Sequence, residues 1–170
     1  MILHLVRHPR PRVEAGICYG QLDLAAENVE AAACALRPRL PSGLPVWSSP
    51  LQRCRHLAEA LHPSPRLDAR LAEINFGDWE GRPWDAIPRQ QIDAWASDVA
   101  HFVPPGGESP FMLQQRALDF VAGLDVPEAV LVTHAGVIRV LLAHWRNLSP
   151  ERWSELVFDY GSLTTVELAR

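Results

Sequence analysis

The 170 residues carry 16 arginines and lysines against 20 aspartates and glutamates, a net charge of −4, and 48% of them are hydrophobic. That balance excludes a disordered chain and a basic nucleic-acid footprint, and the length suits one domain, residues 1–170, with a sizeable core. No apolar run approaches the roughly 20 residues a bilayer span needs, and no secretory leader is read at the start, so a cytoplasmic protein with no membrane partner is expected. Cys18, Cys34 and Cys54 show neither metal spacing nor a disulfide framework. All 16 cations are arginine, whose planar fork suits phosphate.

In chain order, Ile2, Leu3, Leu5 and Val6 predict a buried first strand that Pro9 and Pro11 end. Residues 8–24 read as a loop with turns at Gly16 and Gly20, and the alanine-rich residues 25–37 as a helix. Residues 44–48 predict a short strand. Ser49 is then expected to cap a helix begun by Pro50 and running to Leu61. Within residues 66–74 a short strand is expected, followed by the turn Phe76-Gly77-Asp78-Trp79-Glu80-Gly81. Residues 84–99 predict a helix or helix pair broken near Pro88, and 108–124 a helix. A strand over 129–133, a helix over 136–147 and an alternating strand over 163–168 close the chain. The βαβ succession predicts an α/β protein, a mainly parallel central sheet covered by helices.

Four blocks carry chemistry. Arg7 and His8 sit at the carboxyl end of the first strand, the edge where open α/β sheets bind ligands. A neutral histidine nitrogen can attack phosphorus, and an adjacent guanidinium neutralises phosphoryl charge. His134 occupies an equivalent strand end, and Ala135-Gly136 then opens a helix whose start attracts anions. Arg53 lies in the first turn of a helix, where a shared anion offsets its unfavourable position in the dipole. A proton for the leaving oxygen has to come from Glu73 or Glu80, between which composition does not choose.

The ordered blocks Arg7-His8, Ser49-Pro50-Leu51-Gln52-Arg53, Leu71-Ala72-Glu73 with Phe76-Gly77-Asp78-Trp79-Glu80-Gly81, and Thr133-His134-Ala135-Gly136 resemble the histidine phosphatase superfamily. The resemblance covers nearly the whole chain. It implies a phosphoglycerate mutase-like three-layer αβα sandwich, with His8 the phosphorylated nucleophile, Arg7, Arg53 and His134 binding the phosphoryl group, and Glu73 the proton donor. Tyr19, Gly20 and Ala135 are implied as further substrate contacts. Residues 16–24 and 102–109 look like the α-ribazole phosphatase branch, which removes a 5′-phosphate late in cobalamin assembly. Pro9 departs from the family, which has glycine there, and any backbone N–H donation at that position is lost. Arg10 and Arg12 read most simply as surface residues.

The implied enzyme is a metal-independent phosphomonoesterase with no cofactor, taking a small phosphorylated substrate and acting as a monomer or homodimer. Its alcohol specificity is expected to lie in loops 9–24 and 82–109. Rival readings are a mutase, an impaired protein that only binds phosphorylated ligands, and a metallohydrolase. The last is disfavoured because no His-x-His spacing occurs, and the one His-x-x-x-His, His4 to His8, runs along the predicted first strand, where residues four apart are too far separated to share a metal.

Overall fold

The computed structural model describes residues 1–169. Among these, five strands form one sheet: β1 (Ile2–Arg7), β2 (Val46–Ser48), β3 (Arg66–Leu67), β4 (Glu128–Thr133) and β5 (Leu163–Glu167). Their order is β3-β2-β4-β1-β5. β1 and β4 run parallel, pairing Ile2 with Glu128 and Arg7 with Thr133. β2 is parallel to β4 and to β3, and only β5 is antiparallel, on the β1 edge.

Helices cover both faces, because both faces of the central strands are apolar. Leu3, Leu5, Ala129 and Leu131 point into one core, which α4 (Pro110–Ala122) and α5 (Ala135–Trp145) supply with Leu113, Phe120, Ile138 and Leu141. Val6, Val130 and Val132 alternate to the other face, against Ala33 and Leu36 of α1 (Val29–Leu36) and Leu57 of α2 (Gln52–Leu61). Strands buried on both sides are continuous apolar runs, as parallel sheets require. The expected three-layer α/β architecture is therefore present.

Several boundaries differ from expectation. α1 starts at Val29, because Pro11 pairs with Ala26 and Asn28 adopts a left-handed φ of 51°. α2 starts at Gln52, whose N–H is taken by Asp23 Oδ1 at 2.7 Å. Ser49 does not cap it. Strand character over 66–74 is confined to Arg66–Leu67, and Asp68 then caps a 3₁₀ turn, Ala69–Leu71. The pair expected over 84–99 is a 3₁₀ turn, Trp84–Ala86, and α3 (Arg89–Ser97), separated at Pro88. Ser109, not Glu108, opens α4 by accepting from Met112 N at 3.2 Å. No helix of the described residues is long and apolar enough to cross a membrane.

Candidate active site

β1 and β4 are adjacent and parallel, so the residues following them emerge side by side. His8 N–H donates to Thr133 O at 3.1 Å, joining the two strand ends. The His8 and His134 rings meet edge to face, 5.0 Å between centroids. Both are buried, at 2% and 0% exposure. Burial, reinforced by the Arg53 guanidinium, holds His8 down at about 3, with Arg7 adding to the effect. Burial, then His8 and Arg53, keep His134 well below the usual histidine range. Both imidazoles are neutral at pH 7.

The His8 tautomer follows from its partner. Nδ1 lies 2.6 Å from the carbonyl of Pro9, which can only accept, so Nδ1 carries the proton. The lone pair is left on Nε2. Pro9 lacks an N–H, yet its carbonyl orients the ring.

Two guanidiniums face this pair. Arg53 is wholly buried, with its terminal nitrogens on Gly20 O at 2.5 Å and Leu22 O at 2.8 Å. Arg7 donates to Phe158 O at 2.5 Å and lies 3.8 Å from the centre of the Tyr160 ring. Nε of each is buried without a partner. Two orphaned, buried Nε donors, one on the wholly buried Arg53 and one on the part-buried Arg7, beside two neutral histidines form a site for an anion.

The remaining expected residues sort differently. Glu73 accepts from Ile74 N at 3.0 Å and from Gly136 N, at the start of α5, at 3.1 Å. A Cβ at Gly136 would overlap the Glu73 carboxylate, so glycine is required there for the approach. Glu80 is committed elsewhere: its carboxylate accepts from Gln21 N, Leu22 N and Phe76 N, tying two loops together. Tyr19 is half-buried, with its hydroxyl 3.1 Å from that of Tyr160 and its ring 5.6 Å from the Arg53 guanidinium carbon. Gly20 packs against the Ile74 backbone and serves through its carbonyl on Arg53. Ala135 is the first residue of α5. Arg10 and Arg12 are exposed.

Sequence reasoning missed the supports. Ser49 Oγ lies 2.8 Å and Cys54 Sγ 3.3 Å from His134 Nε2. Burial raises the Cys54 thiol, so it stays neutral. Arg116 spends its guanidinium on both oxygens of Glu108 and on the carbonyls of Arg70, Ala72 and Glu73, at 2.6–3.0 Å. Gln21 adds a bond to Glu73 O at 3.1 Å. Tyr160, 5.9 Å from His8, arrives from the far end of the chain. No local pattern marks these residues, because most of their partners lie on distant segments.

An α/β sheet with a buried anion site, a neutral histidine carrying a free lone pair and a nearby carboxylate defines a protein built for phosphoryl chemistry. The chain belongs to the histidine phosphatase superfamily (branch 1), whose family model matches residues 3–170. It is 34% identical to the glucosyl-3-phosphoglycerate phosphatase of Mycolicibacterium vanbaalenii, over 98% of this chain and 83% of that enzyme. A crystal structure described as phosphoglycerate mutase from Thermus thermophilus is 37% identical with a TM-score of 0.80, covering 100% of this chain and 95% of that one. The expected likeness to α-ribazole phosphatases is narrower. The adenosylcobalamin/α-ribazole phosphatase of Salmonella typhimurium is 30% identical over 58% of this chain and 54% of that protein.

Proposed function

We propose that residues 1–170 form one catalytic domain that hydrolyses a phosphate monoester of a small metabolite through a phosphohistidine at His8. His8 Nε2 attacks phosphorus as the P–O bond to the alcohol breaks, and Glu73 gives its proton to the departing oxygen. Water then attacks the phosphohistidine, Glu73 takes the proton, and the P–N electron pair returns to Nε2. Arg7, Arg53 and His134 stabilise the phosphoryl oxygens. The observation that carries this reading is the neutral His8 ring, with its proton held on Nδ1 by Pro9 O, beside the guanidiniums of buried Arg53 and part-buried Arg7, whose buried Nε atoms have no partner.

The chemistry asks for no metal, so activity should survive a chelator. On substrate, residues 16–24 and 102–109 favour α-ribazole 5′-phosphate. A second reading, glucosyl-3-phosphoglycerate, is favoured by the longer match to that relative. Both esters labelled at phosphorus, mixed with enzyme and quenched within milliseconds, should leave acid-labile label on the wild type and none on His8→Ala. Full turnover by His8→Ala would sink the mechanism. On incubation with 3-phosphoglycerate, release of an isomer rather than free phosphate would make the protein a mutase.

A further inference from the structure

Past Glu73 the structure holds a cavity of about 230 Å³. Its wall includes Ile74 and Gly136, the two residues whose N–H groups hold the Glu73 carboxylate. The rest is largely aromatic and aliphatic, with Phe76, Trp95 and Trp153 on different segments. These rings are fixed. Trp95 stacks on Trp84 at 11° and 5.8 Å, and the indole N–H of Trp153 donates to Leu148 O at 3.2 Å. Arg139, one turn along α5 from Gly136, is the single charged residue of the lining, with Nε on Leu156 O at 3.2 Å.

In-line displacement fixes where the alcohol goes. The leaving oxygen stands opposite His8 and beside Glu73, so its substituent runs on past Glu73. Two other cavities fail this condition. One of about 280 Å³, lined by Arg10, Tyr19 and Tyr160, lies on the nucleophile's side. The larger one of about 460 Å³ is lined by Arg37, Leu44, Val46 and Val130, toward the amino ends of β2 and β4, away from the reacting groups.

We propose that the cavity beside Glu73 takes the alcohol portion of the substrate, and that this alcohol carries a flat apolar ring rather than a polyhydroxyl sugar or a carboxylate. The inference rests on the phosphohistidine reading above. Aromatic walls gain from covering a ring, whereas sugar hydroxyls placed there would give up water for few partners. The specificity residues are then Phe76, Trp95 and Trp153, of which Phe76 and Trp153 lie outside the loops where specificity was expected.

Four simple esters test this with the wild-type protein: ethyl, 2-phenylethyl, glucose 6- and glycerate 3-phosphate. Ethanol and 2-phenylethanol are similarly acidic, so their rate ratio reads the cavity rather than the chemistry. The kcat/KM for 2-phenylethyl phosphate should exceed that for ethyl phosphate by about tenfold or more. In Trp95→Ser that ratio should fall toward one. Equal kcat/KM for the two esters in the wild type, or a preference for the sugar or glycerate ester, overturns the proposed subsite while leaving phosphohistidine chemistry intact. Failure to turn over any of the four, with no label captured at His8, removes the parent reading and this one with it.

Discussion

Glu73 is the residue at which proton donation and water activation converge, and replacing it separates the two half-reactions. Glu73→Gln keeps the shape and an oxygen for one of the two N–H groups, which Ile74 gives to Oε1 and Gly136 to Oε2, but removes the transferable proton. An alkyl phosphate needs that proton to release its alcohol, so kcat on it should fall by about 10²- to 10⁴-fold. Nitrophenolate leaves without a proton. With p-nitrophenyl phosphate, stopped-flow should therefore show a stoichiometric burst followed by very slow turnover, since only hydrolysis of the phosphohistidine still wants the base. Loss of burst and steady state together would deny Glu73 this role. The residues at strand ends were legible because sequence places them: His8 and His134 directly follow runs that must be buried. Pro9 was legible only as a missing N–H. Its compensating carbonyl on Nδ1 depends on a side-chain rotamer that no sequence pattern encodes.

At the scale of elements, the segment carrying Glu73 has no ladder of its own, and α4 supplies what a sheet would have given. Arg116 donates to Glu108 on one side and to the carbonyls of Arg70, Ala72 and Glu73 on the other. That is why residues 66–74 are a strand for only two positions: their carbonyls face a guanidinium rather than a neighbouring strand. Arg116→Ala leaves Glu108 and these carbonyls unsatisfied and frees the loop. It should lower the thermal midpoint and cut kcat on ethyl phosphate about tenfold. Mispositioned acid catalysis predicts a smaller loss in the p-nitrophenyl phosphate burst, and equal losses on both esters would reduce Arg116 to a structural brace. The central strands β1 and β4 could be read directly because both their faces are apolar. β3, with both residues exposed, and the Glu108–Arg116 clamp could not, since each exists only once distant segments have met.

For the molecule as a whole, a site prepared for an anion imposes a pH-dependent cost on folding. His8 and His134 are buried and neutral in the native state, held below the ordinary histidine value by desolvation and by neighbouring guanidiniums. In the unfolded chain each takes up a proton near pH 6.5. The unfolded state therefore binds more protons than the native state as pH falls, and stability must drop with pH in that window. For His8 the window runs from about pH 6.5 down toward its native value of about 3. One such histidine removes about 2 kcal/mol by pH 5, a large share of the 5–15 kcal/mol typical of a folded domain. Urea unfolding followed by tryptophan fluorescence at pH 7, 6 and 5 reads the slope. His8→Asn should lose about half of the contribution from the pair, so the wild type and variant converge as the pH is lowered from 7 to 5 if the wild type starts the more stable. Parallel curves across those pH values would show that His8 is not the buried neutral base that a phosphohistidine mechanism requires.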